Sequence, residues 1–391
     1  MIIRSFDEVV LFARTGLNPR TNFRLGQGTN KYITIKNIRN NNIVIDDNTD
    51  VVDDDAIKLI HKRSQIKKGD ILFCSIGRMG DMYIIPEDPE GWDINESVFA
   101  FTLNTEIVRQ KYFYYIFKQQ DTLDFLNQNS SGSTFKSIKM NQLRRMRFKL
   151  PPIEEQDHII SLLDTLCSII EARQQQLQKL DELVKARFVE MFGDPVTNLK
   201  GYEKRKLREL TAKISDGVHV KPVYTETGKP FLSVVNINKG TINFDGCKFV
   251  SEEAYQKMIK STHPERGDVL YTKVGATYGI PAYVDTDIKF CLYVSVCLIK
   301  PKHDEINSRF LALSMNMPYI KRQADSRIKG IGVPDLHLNQ ISEFDILCPP
   351  RNEQETFISL VEQIDKSKVA VQKALDETQL LFDSLMQQYF L

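Results

Sequence analysis

Cysteine and histidine are sparse in this sequence, and neither residue occurs in a metal-binding or disulfide-forming pattern. The six cysteines are scattered without any Cys-x-x-Cys pair, and the six histidines share no ligand spacing. A zinc site and a disulfide framework are therefore both unsupported, and no metal site is predicted. Free, mostly buried thiols indicate a reducing cytoplasm.

Long apolar runs and an excess of one charge are also missing. No run approaches the roughly 18 residues that cross a membrane. The opening MIIRSFDEVVLF lacks the basic-then-apolar layout of a signal peptide. The net charge of +1 over 391 residues gives no global signal for nucleic acid. With 42% hydrophobic and 26% charged residues, the composition is typical of a globular protein of two or three domains, with no membrane partner.

The motifs of several enzyme classes are absent as well. The sequence contains no Gly-x-x-x-x-Gly-Lys-[Ser/Thr], no His-Glu-x-x-His and no Gly-x-Ser-x-Gly. Neither PPIEEQ nor PPRNEQ has the aromatic residue that follows the prolines in amino-group methyltransferases, and no glycine-rich cofactor turn is present. The acidic segment 46–55 is not followed by the Glu-x-Lys of nucleases. These absences predict a protein that is not an enzyme and that holds no cofactor itself.

One stretch, residues 151–195, has the features of a single long helix. Pro151 and Pro152 suit a first helical turn, where a missing N–H costs little. Gly193 can adopt the left-handed cap, and Pro195 cannot continue the helix. The stretch between these signals is about 40 residues, or roughly 60 Å. Its apolar residues recur at nearly heptad spacing, which favours a coiled coil over an ordinary amphipathic helix on a globular core.

The long helix occurs twice, because the two halves of the sequence are copies at a constant offset of 198 residues. Gly69-Asp70 matches Gly267-Asp268, Asn141-Gln142 matches Asn339-Gln340, and Pro151-Pro152 matches Pro349-Pro350. Such a constant offset identifies an internal repeat. The seams are interrupted at Arg173, Arg187, Lys368 and Thr378. The residues predicted to form the two seams, and thus to bind a partner helix, are Ile159, Leu163, Leu166, Ile170, Leu177, Leu180, Val184, Met191, Phe357, Val361, Ile364, Val371, Leu375, Phe382, Leu385 and Tyr389.

The repeat divides the chain into four parts. These are a first module at 1–150, a long helix at 151–195, a second module at 196–348 and a second long helix at 349–391. Alternating, β-branched segments predict strands in both modules, including 70–76, 97–103, 143–150 and 232–237. Apolar periodicity predicts helices over 109–128 and over 307–325, the latter broken at Pro318.

Basic residues in the first module are separated from the acids. Residues 14–45 contain six basic residues and no acid, and residues 129–150 contain six more, again with no acid. A neutral total can therefore conceal a basic face, for which backbone phosphates are the natural partner. The alternative is a solvated charged surface, which charge runs usually represent.

Together these motifs resemble the specificity (S) subunit of a type I restriction–modification system. The resemblance covers nearly the whole chain and is carried by LPPIEEQ, ARFVEMFGDP, CPPRNEQ, ISDGVHVKP and the paired segments KKGDILF and ERGDVLY. It implies an α+β fold in which two globular, β-rich target-recognition domains accompany two long helices. In that family the helices form an antiparallel coiled coil, which spaces the domains and docks two methyltransferase subunits.

The implied function is recognition of a bipartite, asymmetric site in double-stranded DNA, to which partner adenine methyltransferase subunits are directed. S-adenosylmethionine is then expected on those partners, and whether restriction or translocase subunits join is left open. Two alternatives stand beside this hypothesis. One is a coiled-coil scaffold whose modules bind protein, and the other is a fused restriction–methylation enzyme.

The candidate DNA contacts are loop residues that carry arginine, lysine, histidine or amide groups. Such groups reach either base edges or phosphates, and the sequence does not separate the two roles. For any one residue the alternative is again a solvated surface charge. The candidates are Arg14, Arg20, Arg24, Gln27, Lys31, Arg78, Lys136, Lys139, His219, Lys221, Lys229, Lys273, Lys321, Arg322, Arg327 and Lys329.

Overall fold

The chain forms two compact units, each built from one globular module and half of each long helix. The computed structural model describes residues 1–39, 41–132, 135–238, 240–328 and 332–390. Unit 1 comprises Met1–Gln174 and Lys373–Leu391, and unit 2 comprises Gln175–Gln372. The four-part division made from the sequence stays a prediction, because the contacts divide each long helix between the two units and do not separate the helices from the modules.

Unit 1 mixes short helices with short strands. Its strands are β1 (Ile2–Ser5), β2 (Val10–Thr15), β3 (Asn30–Ile33), β4 (Ile38–Arg39), β5 (Asn42–Ile43), β6 (Val51–Val52), β7 (Ile71–Cys74), β8 (Met82–Ile84), β9 (Trp92–Ile94), β10 (Val98–Leu103) and β11 (Arg147–Leu150). Its helices are α1 (Phe6–Val9), α2 (Asp54–Ser64), α3 (Gln110–Ile116), α4 (Gln120–Asn129), α5 (Met140–Leu143) and the first half of α6 (Ile153–Phe192).

Unit 2 repeats this order. Its strands are β12 (Glu203–Lys206), β13 (Thr211–Asp216), β14 (Lys229–Leu232), β15 (Ile237–Asn238), β16 (Thr241–Ile242), β17 (Lys248–Val250), β18 (Val269–Thr272), β19 (Pro281–Tyr283), β20 (Cys291–Leu292), β21 (Val296–Pro301) and β22 (Asp345–Cys348). Its helices are α7 (Leu207–Leu210), α8 (Glu252–Met258), α9 (Ser308–Met315), α10 (Pro318–Asp325), α11 (Leu338–Ile341) and the first half of α12 (Arg351–Phe390).

The central sheet is the same in both units. It is antiparallel, with the order β2-β10-β7-β8 in unit 1 and β13-β21-β18-β19 in unit 2. Val98 pairs with Cys74 in unit 1, and Val296 pairs with Thr272 in unit 2, so the register is preserved. A second sheet of three strands contains one parallel pair in each unit, β3 with β9 and β14 with β20. The predicted α+β fold with an internal repeat is confirmed.

The repeated Glu-Gln of the two proline motifs begins each long helix. Gln156 is buried, its side-chain oxygen accepts the Arg109 N–H (2.9 Å), and its amide donates to the Ile107 and Pro151 carbonyls. Gln354 makes the matching bonds in unit 2, to the Asn307 N–H and the Pro349 carbonyl. The glutamine therefore satisfies backbone groups at two helix starts, which explains its place in the motif.

In unit 1, the beginning of α6 packs against the end of α12, so the two helices run antiparallel. Ile159 and Leu163 are fully buried in a core that also contains Met386. Tyr112 of α3 contacts the ring of Phe390 at 4.9 Å, which ties the module to the helix pair.

In unit 2, the end of α6 packs against the beginning of α12. Phe188 is fully buried and contacts the Phe357 ring edge-to-face at 5.5 Å. Lys368, one of the interruptions in the predicted seam, forms an ion pair with Asp181 across the helices (2.7 Å). Arg187, another interruption, pairs instead with Glu190 on its own helix.

All sixteen predicted seam residues are buried or half-buried. Phe188 and Met386, which the heptad pattern missed, are buried beside them. The contribution of the seam to partner binding stays a prediction.

Three predicted elements are wrong in their bounds or continuity. The helix over 109–128 is two helices, because Phe117 and Lys118 end α3 in a tight turn. The strand over 143–150 is shortened to β11, since Gln142 accepts the Lys139 N–H and starts α5 instead. The strand over 232–237 is interrupted by a 3-10 turn at Val234–Asn236, because the Asn236 side chain accepts the Ser233 N–H.

Candidate nucleic-acid interface

The loop between β2 and β3 of unit 1 is exposed at its tip and anchored at its base. The Tyr32 hydroxyl donates to the Leu17 carbonyl at 2.6 Å. Gly28 has a φ of +82°, and a Cβ there would lie 2.5 Å from the Val52 carbonyl oxygen, so glycine is required. Half-buried Lys31 follows in β3. The exposed candidate residues on this loop are Arg20, Arg24 and Gln27.

A second surface of unit 1 forms where the turn after β7 meets the segment after α4. The Gly77 N–H donates to the Lys136 carbonyl (3.0 Å), which places Arg78 beside the Lys136 segment. Arg78 also donates to the Ile35 and Ile38 carbonyls at 2.9 and 2.8 Å. Its guanidinium therefore holds two loops together while remaining partly exposed. The side chains of Lys136 and of Lys139, three residues further on, are exposed.

Arg14 has an internal partner. Its guanidinium pairs with Asp70 at 2.8 Å and donates to the Gln65 carbonyl at 3.0 Å, and its side chain is 17% exposed. Thr102 donates to the second oxygen of the same carboxylate. Arg14 thus compensates a buried charge, and its contact with DNA stays a prediction.

In unit 2, the loop between β13 and β14 carries the corresponding candidates. His219 and Lys221 are exposed, and Lys221 lies over the Tyr224 ring. Lys229 is half-buried, pairs with Glu252 (3.5 Å) and lies over the Tyr255 ring.

Lys273 lies at the base of this surface and is nearly buried, with a 6% exposed side chain. Its ammonium is 3.7 Å from Asp216 at the end of β13 and 3.5 Å from Asp335 of a third loop. His219 is 3.8 Å from the same Asp216. Burial raises the pKa of Asp216, although Lys273 and His219 act in the opposite direction. The ion pairs of this cluster therefore connect three loops.

The remaining candidates lie on and after α10. Lys321 pairs with Asp325 and lies over the Tyr278 ring, whereas Arg322 is exposed. Arg327 donates to the Gln323 carbonyl at 2.7 Å and to the Glu343 carbonyl at 3.1 Å. Lys329 lies outside the described residues.

The geometry therefore separates the candidates into an exposed set and an internally bonded set. The internally bonded set is Arg14, Lys229, Lys273, Lys321 and Arg327. The exposed set is Arg20, Arg24, Gln27, Lys136, Lys139, His219, Lys221 and Arg322. Arg78 belongs to both sets, because it is exposed and also bonded to the Ile35 and Ile38 carbonyls, and Lys31 is half-buried.

Both halves of the chain match one known domain, the type I restriction modification DNA specificity domain, over residues 3–182 and 200–378. The chain belongs to this family. It is a specificity subunit with two DNA-recognition domains, and the match favours DNA recognition over a protein-binding scaffold. Specificity subunits of type I systems act on DNA together with other restriction–modification subunits.

Relatives cover most of the specificity subunit. The MjaIX specificity subunit of Methanocaldococcus jannaschii is 24% identical over 71% of this chain and 68% of its own length. The EcoBI specificity subunit of Escherichia coli is 22% identical over 76% and 68%, respectively. The crystal structure of the S subunit from M. genitalium matches with a TM-score of 0.54 at 16% identity, covering 100% of this chain and 96% of that one. This last likeness concerns the fold.

Sequence reasoning overlooked the apolar residues of the specificity subunit's loops. Phe135, Val220, Val223 and Val333 are all exposed beside the candidate cations. An apolar residue inside a loop otherwise rich in serine, glycine and lysine was the available signal. Among the described residues, no helix is long and apolar enough to cross a membrane, and no group of three side chains has metal-ligating geometry.

Proposed function

We propose that this specificity subunit is non-catalytic and reads a bipartite, asymmetric DNA site on behalf of partner methyltransferase subunits. One observation carries the proposal: the same recognition domain occurs twice, with a shared sheet and different loops. Two copies of one framework favour two half-sites, and different loops favour two different sequences.

The difference between the loops is chemical. At the matched position after the central strand, unit 1 has Arg78 and unit 2 has Ala276. Lys136 is likewise matched by Pro334. Side chains that present different donors and apolar groups recognise different base edges. A single continuous palindrome would therefore contradict the proposal.

The long helices supply the spacer in this proposal. Each has 40 residues and is roughly 60 Å long. Modules that contact one face of B-DNA must engage it about 34–36 Å apart or at a multiple of that distance. The unspecified gap between the half-sites is thus expected to follow from helix length.

The same helices are the proposed docking surface for two methyltransferase subunits. Outside the seam, Val369 is 70% exposed and Leu380 is 69% exposed. Apolar side chains on the outer face of a helix favour a protein partner. S-adenosylmethionine is then held by those partners, and the complex acts on adenine in cytoplasmic DNA.

Methylome sequencing of cells that express the subunit with its cognate methyltransferase tests the proposal directly. The expected result is one motif with two short specified segments, a fixed gap and methylated adenines. A salt-dependent gel shift is the companion measurement, because phosphate binding weakens steeply with salt. Binding that is insensitive to salt would instead support the protein scaffold, and S-adenosylmethionine binding by the subunit alone would support a fused enzyme.

A matched insertion tests the spacer. Residues 174–182 of α6 face residues 367–375 of α12, as the Asp181–Lys368 ion pair shows. Seven residues added at facing points of these two segments keep the antiparallel seams in phase. The gap should change, or binding should be lost, while each half-site sequence stays the same. An unchanged gap with full methylation would refute the spacer role.

A further inference from the structure

Two matched loops expose a large apolar side chain at the same place in the repeat. Phe135 of unit 1 and Val333 of unit 2 are 198 positions apart, and they are 71% and 73% exposed. The loops differ in sequence, since Lys136 follows in one and Pro334 in the other. An exposed apolar residue that is kept while its neighbours change calls for an explanation.

The unit 1 loop is a closed structure. Ser131 and Ser137 exchange both backbone hydrogen bonds at 2.9 Å. Within it, a Cβ on Gly132 would lie 2.3 Å from the Phe135 carbonyl oxygen, and Gly132 has a φ of +113°, so the glycine lets the loop close. The two ends of the loop that carries Phe135 are thereby held together.

The base of this loop is attached to the central sheet. Ile138 is buried, and its N–H donates to the Ser75 carbonyl at the end of β7 (2.9 Å). The Gly77 N–H donates to the Lys136 carbonyl, which joins the loop to the turn that carries Arg78.

The unit 2 loop has the same attachment. Leu336 is buried and its N–H donates to the Lys273 carbonyl at 2.9 Å, while the Gly275 N–H donates to the Pro334 carbonyl at 2.9 Å. Both bonds are matched to those of unit 1 at an offset of 198 residues. Val333 is therefore presented from the same place on the same framework as Phe135.

We infer that Phe135 and Val333 are specificity-determining residues, each of which contacts one base pair through the thymine C5-methyl group in the major groove. In unit 1 the exposed cations Lys136 and Lys139 follow Phe135 in the sequence, so the surface that presents the apolar tip can also bind backbone phosphate. The thymine methyl is the apolar group that the major groove offers to such a side chain.

The inference rests on the proposed function, and the first experiment keeps the two distinguishable. Methylomes are compared for cells that express the methyltransferase with the wild-type subunit, Phe135→Ala or Val333→Ala. Each variant should relax the motif at one base pair, the first in one half-site and the second in the other. Phe12→Ala is the matched control, because Phe12 is 60% exposed on β2 of unit 1, and its motif should be unchanged.

The second experiment measures the methyl contact. Uracil replaces each thymine of the cognate site in turn, and binding of the methyltransferase complex is compared for the wild type and Phe135→Ala. One replacement should weaken wild-type binding about fourfold, as loss of one buried methyl does, and should leave the variant unaffected. Phe135→Leu should retain most of the discrimination, which separates a lost contact from a misfolded loop.

The possible results distinguish failure of the proposed function from failure of the inference. A wild-type complex that binds no specific DNA would overturn the proposed function itself. Specific wild-type binding with an unchanged motif for Phe135→Ala and Val333→Ala would overturn the inference alone. Equal sensitivity of wild type and variant to every uracil replacement would do the same.

Discussion

The matched aspartates Asp70 and Asp268 immediately precede the same strand in the two units, β7 and β18, yet different neighbours compensate their charge. Asp70 is paired by Arg14 from β2, and Thr102 on β10 donates to it. Asp268 is paired at 2.8 Å by Lys300 of β21, which stands where unit 1 has Thr102. The cation has moved to the neighbouring strand while the buried acid stayed.

The base of the recognition surface shows the opposite behaviour. Ser75 in unit 1 donates to the Ser97 carbonyl, whereas Lys273 at the matched position joins Asp216 and Asp335. Hydroxyl chemistry in one unit is replaced by charge in the other. The two comparisons teach different things. Beside the central strand, the buried acid keeps a compensating cation, although a different residue supplies it. At the base of the loops, a neutral hydroxyl in unit 1 is replaced by a charged ammonium in unit 2.

The largest expected effect concerns the helix pair. Phe188 in unit 2 and Met386 in unit 1 occupy matched, buried positions. Phe188→Ala should lower the free energy of unfolding by about 4 kcal/mol and Met386→Ala by about 2–3 kcal/mol, since the larger ring leaves the larger cavity. Hydrogen exchange read by mass spectrometry should locate each loss in its own unit. Equal losses, or losses outside the expected unit, would contradict the matched packing.

The second largest effect concerns the cation that compensates the buried carboxylate of Asp70. Arg14 lies opposite Ala100 in the β2–β10 pair, and Ser215 lies opposite the matched Leu298 in the β13–β21 pair, so Ser215 is the unit 2 counterpart of Arg14 by strand register. Arg14→Ser should destabilise unit 1 by about 3 kcal/mol, because it leaves buried Asp70 uncompensated. The double variant Arg14→Ser, Thr102→Lys should recover most of that loss by supplying the unit 2 cation. Urea denaturation of the three proteins measures both steps. If the double variant is less stable than Arg14→Ser, Lys at position 102 does not replace the cation of Arg14.

A smaller effect separates exposed from buried cations. Lys136→Ala should weaken DNA binding and reduce the slope of log affinity against log salt by about 1, as loss of one phosphate contact does. Lys273→Met should weaken binding without changing the slope, because its ammonium lies beneath the loops. Fluorescence anisotropy over a salt series distinguishes them. A reduced slope for Lys273→Met would place that lysine against phosphate.

The smallest effect lies in the seam. Lys368 is matched by Ile170 in the first helix, and it pairs with an exposed Asp181. Lys368→Ile should change the free energy of unfolding by less than about 1 kcal/mol, because exposed ion pairs contribute little. A larger loss in thermal unfolding would assign Lys368 a structural role that Ile170 does not have.

Local signals explain what the sequence predicted well. Prolines at 151–152 and 349–350 and heptad spacing are short-range features, so α6 and α12 were located to within a few residues. Phe188 was missed because a straight helix of 3.6 residues per turn drifts from a strict repeat of about 3.5. The buried position therefore moved from Arg187 to its neighbour.

Side-chain partners distant in sequence explain what was missed. The partner of Arg14 is 56 residues away, and that of Lys273 is 57 or 62 residues away. Charge patterns reveal a cation and leave its partner unspecified. Single side-chain amides also override strand propensity at two turns. The Asn37 side chain accepts the Thr34 N–H in unit 1, and the Asn236 side chain accepts the Ser233 N–H in unit 2.

The division of each long helix between the units has a consequence for synthesis. Unit 2 is continuous from Gln175 to Gln372, whereas unit 1 needs Lys373–Leu391 to complete it. The core of unit 1 is therefore completed only after unit 2 has been translated, because Ile159 and Leu163 pack in the same core as Met386. At roughly 5–20 residues per second, that interval is tens of seconds for a nascent chain. The second recognition domain is in effect an insertion into the first, and it is able to mature before its host.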